Sequence, residues 1–170
     1  MTHAPGATRK LDAAVRAAST AALLLSNTDP NALFGVVEFH QEARAALAPR
    51  PVGPNKTMII HTLRSMSIAG GTDIDRGLLE CERMLWGTRW TKASVLFLTD
   101  GCGGDGRSTA ARLRHSGVII DVVGIGSDPA DVNEPMLREI ATNVDGQPKY
   151  RFIKDSRTLV DEYTRLAGDR

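Results

Sequence analysis

Two short segments of this chain carry oxygen donors. Gly70-Gly71-Thr72-Asp73 offers a hydroxyl and a carboxylate, and Leu98-Thr99-Asp100-Gly101 offers a second carboxylate. A hard divalent cation such as Mg²⁺ takes about six oxygen ligands in near-octahedral order and accepts waters among them. Carboxylates and hydroxyls at strand-to-helix turns suit that demand. Each segment alone also reads as local structure. Thr72-Asp73-Ile74-Asp75 resembles a helix-capping pattern, with Asp75 where Glu is commoner. Asp100 can hydrogen-bond within a turn ahead of Gly101. Asp73 reads as a helix-start carboxylate, and Asp105 as a surface acid of a glycine-rich loop.

Other chemistry is thinner. His3, His40, His61 and His115 show no metal-type spacing. His40, just after an expected strand, is the best placed for a partner contact, with a solvated turn histidine as the simpler reading. Cys102 lacks the positioned base and electropositive setting that a nucleophile needs. Cys81 has apolar helical neighbours and reads as core. Gly124-Ile125-Gly126 does not complete a dinucleotide fingerprint, and the loop 101–106 lacks the Gly-Lys-Ser/Thr end of a phosphate loop. Trp86 closes an apolar helix stripe and reads as partly buried, while Trp90 packs beneath the next strand.

The elements around these residues alternate. Apolar residues at helical spacing predict helices over 10–26, 56–66, 73–86 and 108–115. In the first of these, Leu11, Ala14, Val15, Ala18, Ala22 and Leu25 form the stripe. Near-continuous apolar runs over 33–39, 93–98 and 118–123 predict strands buried on both faces. A short antiparallel edge strand is expected over 43–47, and a loop at Pro51, Gly53 and Pro54. Asn133-Glu134-Pro135 starts another helix, because Asn can cap and Pro fits an early turn. An alternating, partly exposed strand over 149–153 and a last helix from Asp155 or Ser156 complete the pattern. Strands alternating with amphipathic helices predict an open, mostly parallel α/β sheet with helices on both faces.

Length and composition set outer bounds. A chain of 170 residues with 42% hydrophobic and 24% charged residues fits a single globular domain with a sizeable core. A net charge of +1 argues against a nucleic-acid partner. The two cysteines make no disulfide framework, and the first residues have no hydrophobic signal core. No apolar run reaches membrane-spanning length. These features predict a cytoplasmic protein without a membrane partner.

Five segments follow one another in a telling order: Leu11 to Ala18, Phe34 to Phe39, Gly70-Gly71-Thr72-Asp73-Ile74, Phe97-Leu98-Thr99-Asp100-Gly101, and Val122 to Gly126. By that order and spacing the chain resembles the von Willebrand factor A family. The resemblance implies a Rossmann-like domain over 10–168, with 1–9 as an N-terminal loop. It implies that Thr72 gives a hydroxyl, and Asp100 a direct or water-mediated carboxylate oxygen, to Mg²⁺. In the family an Asp-x-Ser-x-Ser loop after the first strand supplies the other three protein oxygens. No such loop occurs here, and residues 1–9, with Pro5 and Gly6, make a poor central strand. The first central strand is therefore expected to be missing or supplied in trans.

The implied function is a non-enzymatic protein–protein interaction module with an incomplete metal-ion-dependent adhesion site. Its binding face lies at the carboxyl ends of the parallel strands. Thr72 and Asp100 are the metal residues, with His40, Asp73, Cys102 and Asp105 on the interaction rim. Mg²⁺ binding is expected to be weak or absent in the isolated chain. The expected partner is another protein, engaged through an acidic residue, with a homodimer or strand complementation as further forms. Two alternatives stand beside this reading. One is a subunit or fragment completed by another polypeptide that restores Mg²⁺-dependent ligand binding. The other is a metal-dependent hydrolase, which would need an activated water and a proton-transfer arrangement.

Overall fold

The structure, a computed structural model, describes residues 5–67, 71–99 and 103–154. The helix expected from Asp155 or Ser156 lies outside the described residues. The described chain falls into two compact units. One carries α1 (Pro5–Thr28), α2 (Val52–Arg64) and most of the hairpin β1 (Leu33–Phe39) and β2 (Ala43–Pro51). The other carries the hairpin tip, 39–44, and the segment from α3 to β7.

In the first unit α1 is helical from Pro5 onward, so the loop expected over 1–9 gives way to helix within its described part. Proline suits a first turn because the N–H there has no intrahelical acceptor. Its fully buried alanines are Ala13, Ala17 and Ala22. Of these, only Ala22 belongs to the stripe expected from apolar spacing. β1 and β2 form a two-stranded sheet. Their three-residue connection permits only antiparallel pairing. β2 runs four residues past the expected 43–47.

The loop expected at Pro51, Gly53 and Pro54 is the start of α2. Pro54 sits in the first turn, where a missing N–H costs nothing. The orphan donors of Val52 and Gly53 bond to the carbonyls of Ala32 and Pro30, both at 2.9 Å. Val36, Leu47, Val52, Ile59 and Leu63 close a small core with Ala22.

In the second unit α3 (Ile74–Trp86), β3 (Ser94–Thr99), α4 (Arg107–His115), β4 (Ile119–Ile125), α5 (Glu134–Ile140) and β7 (Tyr150–Ile153) surround one core. A 3₁₀ turn at Pro129–Asp131 and a two-residue hairpin, β5 (Asn143–Val144) with β6 (Gln147–Pro148), fill the connections. The parallel sheet has the order β3-β4-β7, with Phe97 opposite Val122 and Val122 opposite Tyr150. Ile74, Leu78, Phe97, Ile120, Val122, Leu137 and Ile140 pack at its centre. Asn133 caps α5 by accepting from the Met136 amide at 3.3 Å, with Pro135 in the first turn. β7 does not alternate as expected: Tyr150 and Ile153, at its two ends, are the buried residues. In place of one open sheet, the described strands form three separate ladders, mixed parallel and antiparallel.

Two acidic groups of this unit, the partly buried Cys81 and the buried Tyr150, contribute to its alkaline behaviour. Burial pushes the Cys81 thiol from 9.0 up to about 12, and the neighbouring Glu80 charge adds to the shift. Burial likewise lifts the Tyr150 phenol from 10.0 to about 12, with Glu134 adding to it. Both groups are held neutral by the fold and ionise earlier once unfolded. Their contribution to stability is complete below pH 9.0 and is lost as the pH rises toward about 12. The urea midpoint is expected to fall across that window, and to fall less steeply in Cys81→Ala. An equally steep fall in that variant would remove Cys81 from the account.

Candidate functional site

Three turns of the second unit meet through their backbones. The turn after β1 closes on itself, the His40 amide donating to the Glu42 carbonyl at 2.7 Å. The His40 carbonyl accepts from the Asp73 amide at 2.6 Å, and the Gly103 carbonyl from the Ile74 amide at 2.9 Å. The segment entering α3 is thus held by the turn after β1 on one side and by the turn following β3 on the other. Glycine permits both approaches. A Cβ on Gly103 would lie 1.8 Å from the Thr72 carbonyl oxygen. Gly71 takes φ +81°, and a Cβ there would lie 2.3 Å from the Gln41 side chain.

His40, Thr72, Asp73 and Asp105 therefore sit on neighbouring turns. Asp100 and Cys102 lie outside the described residues. The described acids of these turns and of the start of α3 are already engaged. Asp73, rather than Thr72, is the N-cap of α3: its Oδ1 accepts from the Arg76 amide at 3.2 Å, and its Oδ2 lies 3.5 Å from Arg76 Nε. Arg76 also pairs closely with Glu42. Asp105 accepts from Arg107 through Nε at 2.9 Å and Nη2 at 3.0 Å, and from its amide at 3.1 Å. Those side-chain bonds hold the Asp105 carboxyl below the usual carboxylate range. Asp75 is spent in the helix pair, accepting from the buried Thr109 hydroxyl at 2.6 Å.

Among the described residues no three His, Cys, Asp or Glu side chains cluster as metal ligands. Thr72, Asp73 and Asp105 alone do not fit a Mg²⁺ shell, because both carboxylates are committed to a helix start and to arginines. The residue types at these turns do not reveal the backbone bonds that join them. The glycine pairs 70–71 and 103–104 were the available signal.

Residues 2–103 match the family described as von Willebrand factor type A domain. The chain belongs to the von Willebrand factor type A family. No curated protein matches it in sequence. Solved structures with the same fold include a von Willebrand factor type A protein from Catenulispora acidiphila, 23% identical with a TM-score of 0.74, over 95% of this chain and 38% of that one. Proximal thread matrix protein 1 from the mussel byssus is 19% identical with a TM-score of 0.73, over 94% and 42%. The pilus adhesin SpaC from Lactobacillus rhamnosus GG is 14% identical with a TM-score of 0.76, over 94% and 28%. At these identities the likeness is one of fold, and this von Willebrand factor type A chain spans less than half the length of each.

The cytoplasmic location expected from the sequence is overturned by these relatives. A byssus thread protein and a pilus adhesin are extracellular, and a further structure of this fold is an aerotolerance-related membrane protein from Bacteroides fragilis. The composition of the first residues and a low cysteine count do not fix the compartment of a von Willebrand factor type A domain. Among the described residues no helix is long and apolar enough to cross a membrane.

Proposed function

We propose that this chain is a non-enzymatic protein-interaction module whose binding face is the rim formed by the turns at His40, Thr72–Asp73 and Gly103–Asp105. The observation that carries this reading is the backbone lock of Asp73 and Ile74 onto His40 and Gly103. It fixes the Thr72 turn against the segment that follows Asp100. The family match covers residues 2–103, which include parts of both compact units, and 10–168 is read as one domain. One crystal form of the byssus protein is described with a zinc-occupied MIDAS motif. On this chain the corresponding role falls to Thr72 and Asp100, with His40, Asp73, Cys102 and Asp105 around them. The site is incomplete, so Mg²⁺ binds weakly or not at all until a partner supplies further oxygens.

The sheet supports completion from outside. β3 has β4 on one side and no strand on the other among the described residues, and it belongs to a different sheet from β1. Outer strands usually carry charge or proline against stray pairing. β7 has Arg151 between Lys149 and Lys154, and β2 has Arg44, Pro49, Arg50 and Pro51. β3, Ser94-Val-Leu-Phe-Leu-Thr99, has neither. It has the composition of an interior strand, and a strand from another polypeptide or a second copy would take the open edge.

One set of samples tests both halves. Calorimetry with Mg²⁺ or Mn²⁺ is expected to show no sub-millimolar binding by the chain alone. Saturable sub-millimolar binding that disappears in Asp100→Ala would defeat the incomplete site. In sedimentation the chain is expected to self-associate with rising concentration, and Leu96→Lys to return it to monomer. A monomeric chain whose β3 amides are all protected from hydrogen exchange would show that the edge is not open.

A further inference from the structure

A second surface lies away from the rim turns, on the bodies of α3 and α4. Their adjoining outer faces form a shallow groove of about 540 Å³, lined by Glu82 and Trp86 from α3 and by Ser108, Ala111, Arg112 and His115 from α4. The spacing of the α4 residues is that of one helical face. Trp86 is 68% exposed, which corrects the partly buried place expected for it. Trp90, by contrast, packs on the core and donates to the Leu85 carbonyl at 3.2 Å.

The ion pairs flanking Trp86 are lopsided. Arg112 donates to Glu82 through Nε at 3.0 Å and Nη2 at 2.9 Å. The Glu82 side chain is 13% exposed, and that of Arg112 is 51% exposed. Arg83 pairs with Glu80 at 3.4 Å, and there the values are 15% for the acid and 81% for the arginine. The carboxylates are covered and the guanidinium groups face water. A ligand approaching Trp86 meets an indole and the exposed faces of two guanidinium groups, each already paired on its other side with a more covered carboxylate.

We propose that this groove docks an acidic segment of a partner protein that carries one apolar or aromatic anchor. The anchor lies against Trp86 and Ala111, and flanking carboxylates share Arg83 and Arg112 with Glu80 and Glu82 through the guanidinium N–H groups that face water. Indole and guanidinium are the groups that dominate protein-binding hot spots. Planar guanidinium recognises carboxylate with two parallel bonds, a geometry that Arg112 already shows toward Glu82. The proposal does not depend on the rim or on metal.

The test uses end-blocked heptapeptides of Asp and Glu with each apolar or aromatic residue in turn at the centre, and a matching set built on Lys and Arg. Binding is read from the Trp86 indole ¹⁵N–¹H signal and by calorimetry. At least one acidic peptide is expected to shift that signal and to bind with a sub-millimolar constant that weakens with salt. Trp86→Ala is expected to weaken it by about tenfold or more. Arg83→Glu is expected to weaken it in the same direction, and the basic set should leave the signal in place. Circular dichroism checks that the variants stay folded, as expected for side chains this exposed. The proposal fails if no acidic peptide moves the indole, if the basic set binds as well, or if Trp86→Ala binds unchanged. It also fails if the indole is already covered in a concentration-dependent dimer, since the occupant would then be a second copy.

Discussion

Gly103→Ala is expected to destabilise the chain by about 3 kcal/mol, although it adds a single methyl group. The added carbon would lie 1.8 Å from the Thr72 carbonyl oxygen and 2.9 Å from its carbonyl carbon. These neighbours are backbone atoms, so no side-chain rotation relieves the contact. Thr72 cannot retreat cheaply either. The next amide is bonded to His40 and the one after it to Gly103 itself. Overpacking costs about 1–3 kcal/mol, and each hydrogen bond lost in making room adds about 1 kcal/mol. Gly87→Ala is the control, because a Cβ there meets the Arg83 and Met84 carbonyls at an ordinary 3.7 Å. The measurement is the urea midpoint at unchanged slope. A Gly103→Ala midpoint matching that control would mean that the turns of the rim are not locked together. The proposed binding face would then lose its main support.

That lock shows why the rim was only half legible in the sequence. Thr72 and Asp100 are recognisable as residue types within a family pattern. The bonds that fix Thr72 run between amides and carbonyls, which every residue carries, and only the glycines betray a close approach. The carboxylates were harder still. Asp73 was readable as a helix-start carboxylate, but nothing in the order of residues says that Arg76 and Arg107 turn onto Asp73 and Asp105.

Secondary structure followed the same division. β3 and β4 were legible because buried parallel strands are continuous apolar runs. The start of α5 was legible because Asn133 and Pro135 each have one favoured place. The start of α2 was not. Pro51, Gly53 and Pro54 break helices anywhere except at their first turn, and the carbonyls of Pro30 and Ala32 that satisfy that turn are remote in sequence. Trp86 misled through periodicity: it continues the spacing of its helix but lies where α3 faces solvent. For Asp100 and Cys102, which lie outside the described residues, the sequence remains the sole basis for their roles.

Phe97→Ala is expected to cost about 3–5 kcal/mol, the range for emptying an aromatic site in a core. Phe97 is 3% exposed at the middle of β3, and its ring stacks on Phe39 with centroids 4.9 Å apart and planes 23° from parallel. Phe39 is pressed from α3 as well, since a Cβ on Gly77 would lie 2.8 Å from its Cγ. The stack therefore couples β3 to the residue just before His40, whose carbonyl holds the Asp73 amide. A double-mutant cycle of Phe97→Ala with Phe39→Ala is expected to be non-additive by about 1 kcal/mol, a typical aromatic-pair energy. In the single Phe97→Ala variant the Asp73 amide should also exchange with solvent faster than in the parent, beyond what global destabilisation explains. An additive cycle with unchanged Asp73 protection would show that the two rings only fill space. The backbone bonds alone would then have to hold the rim in register.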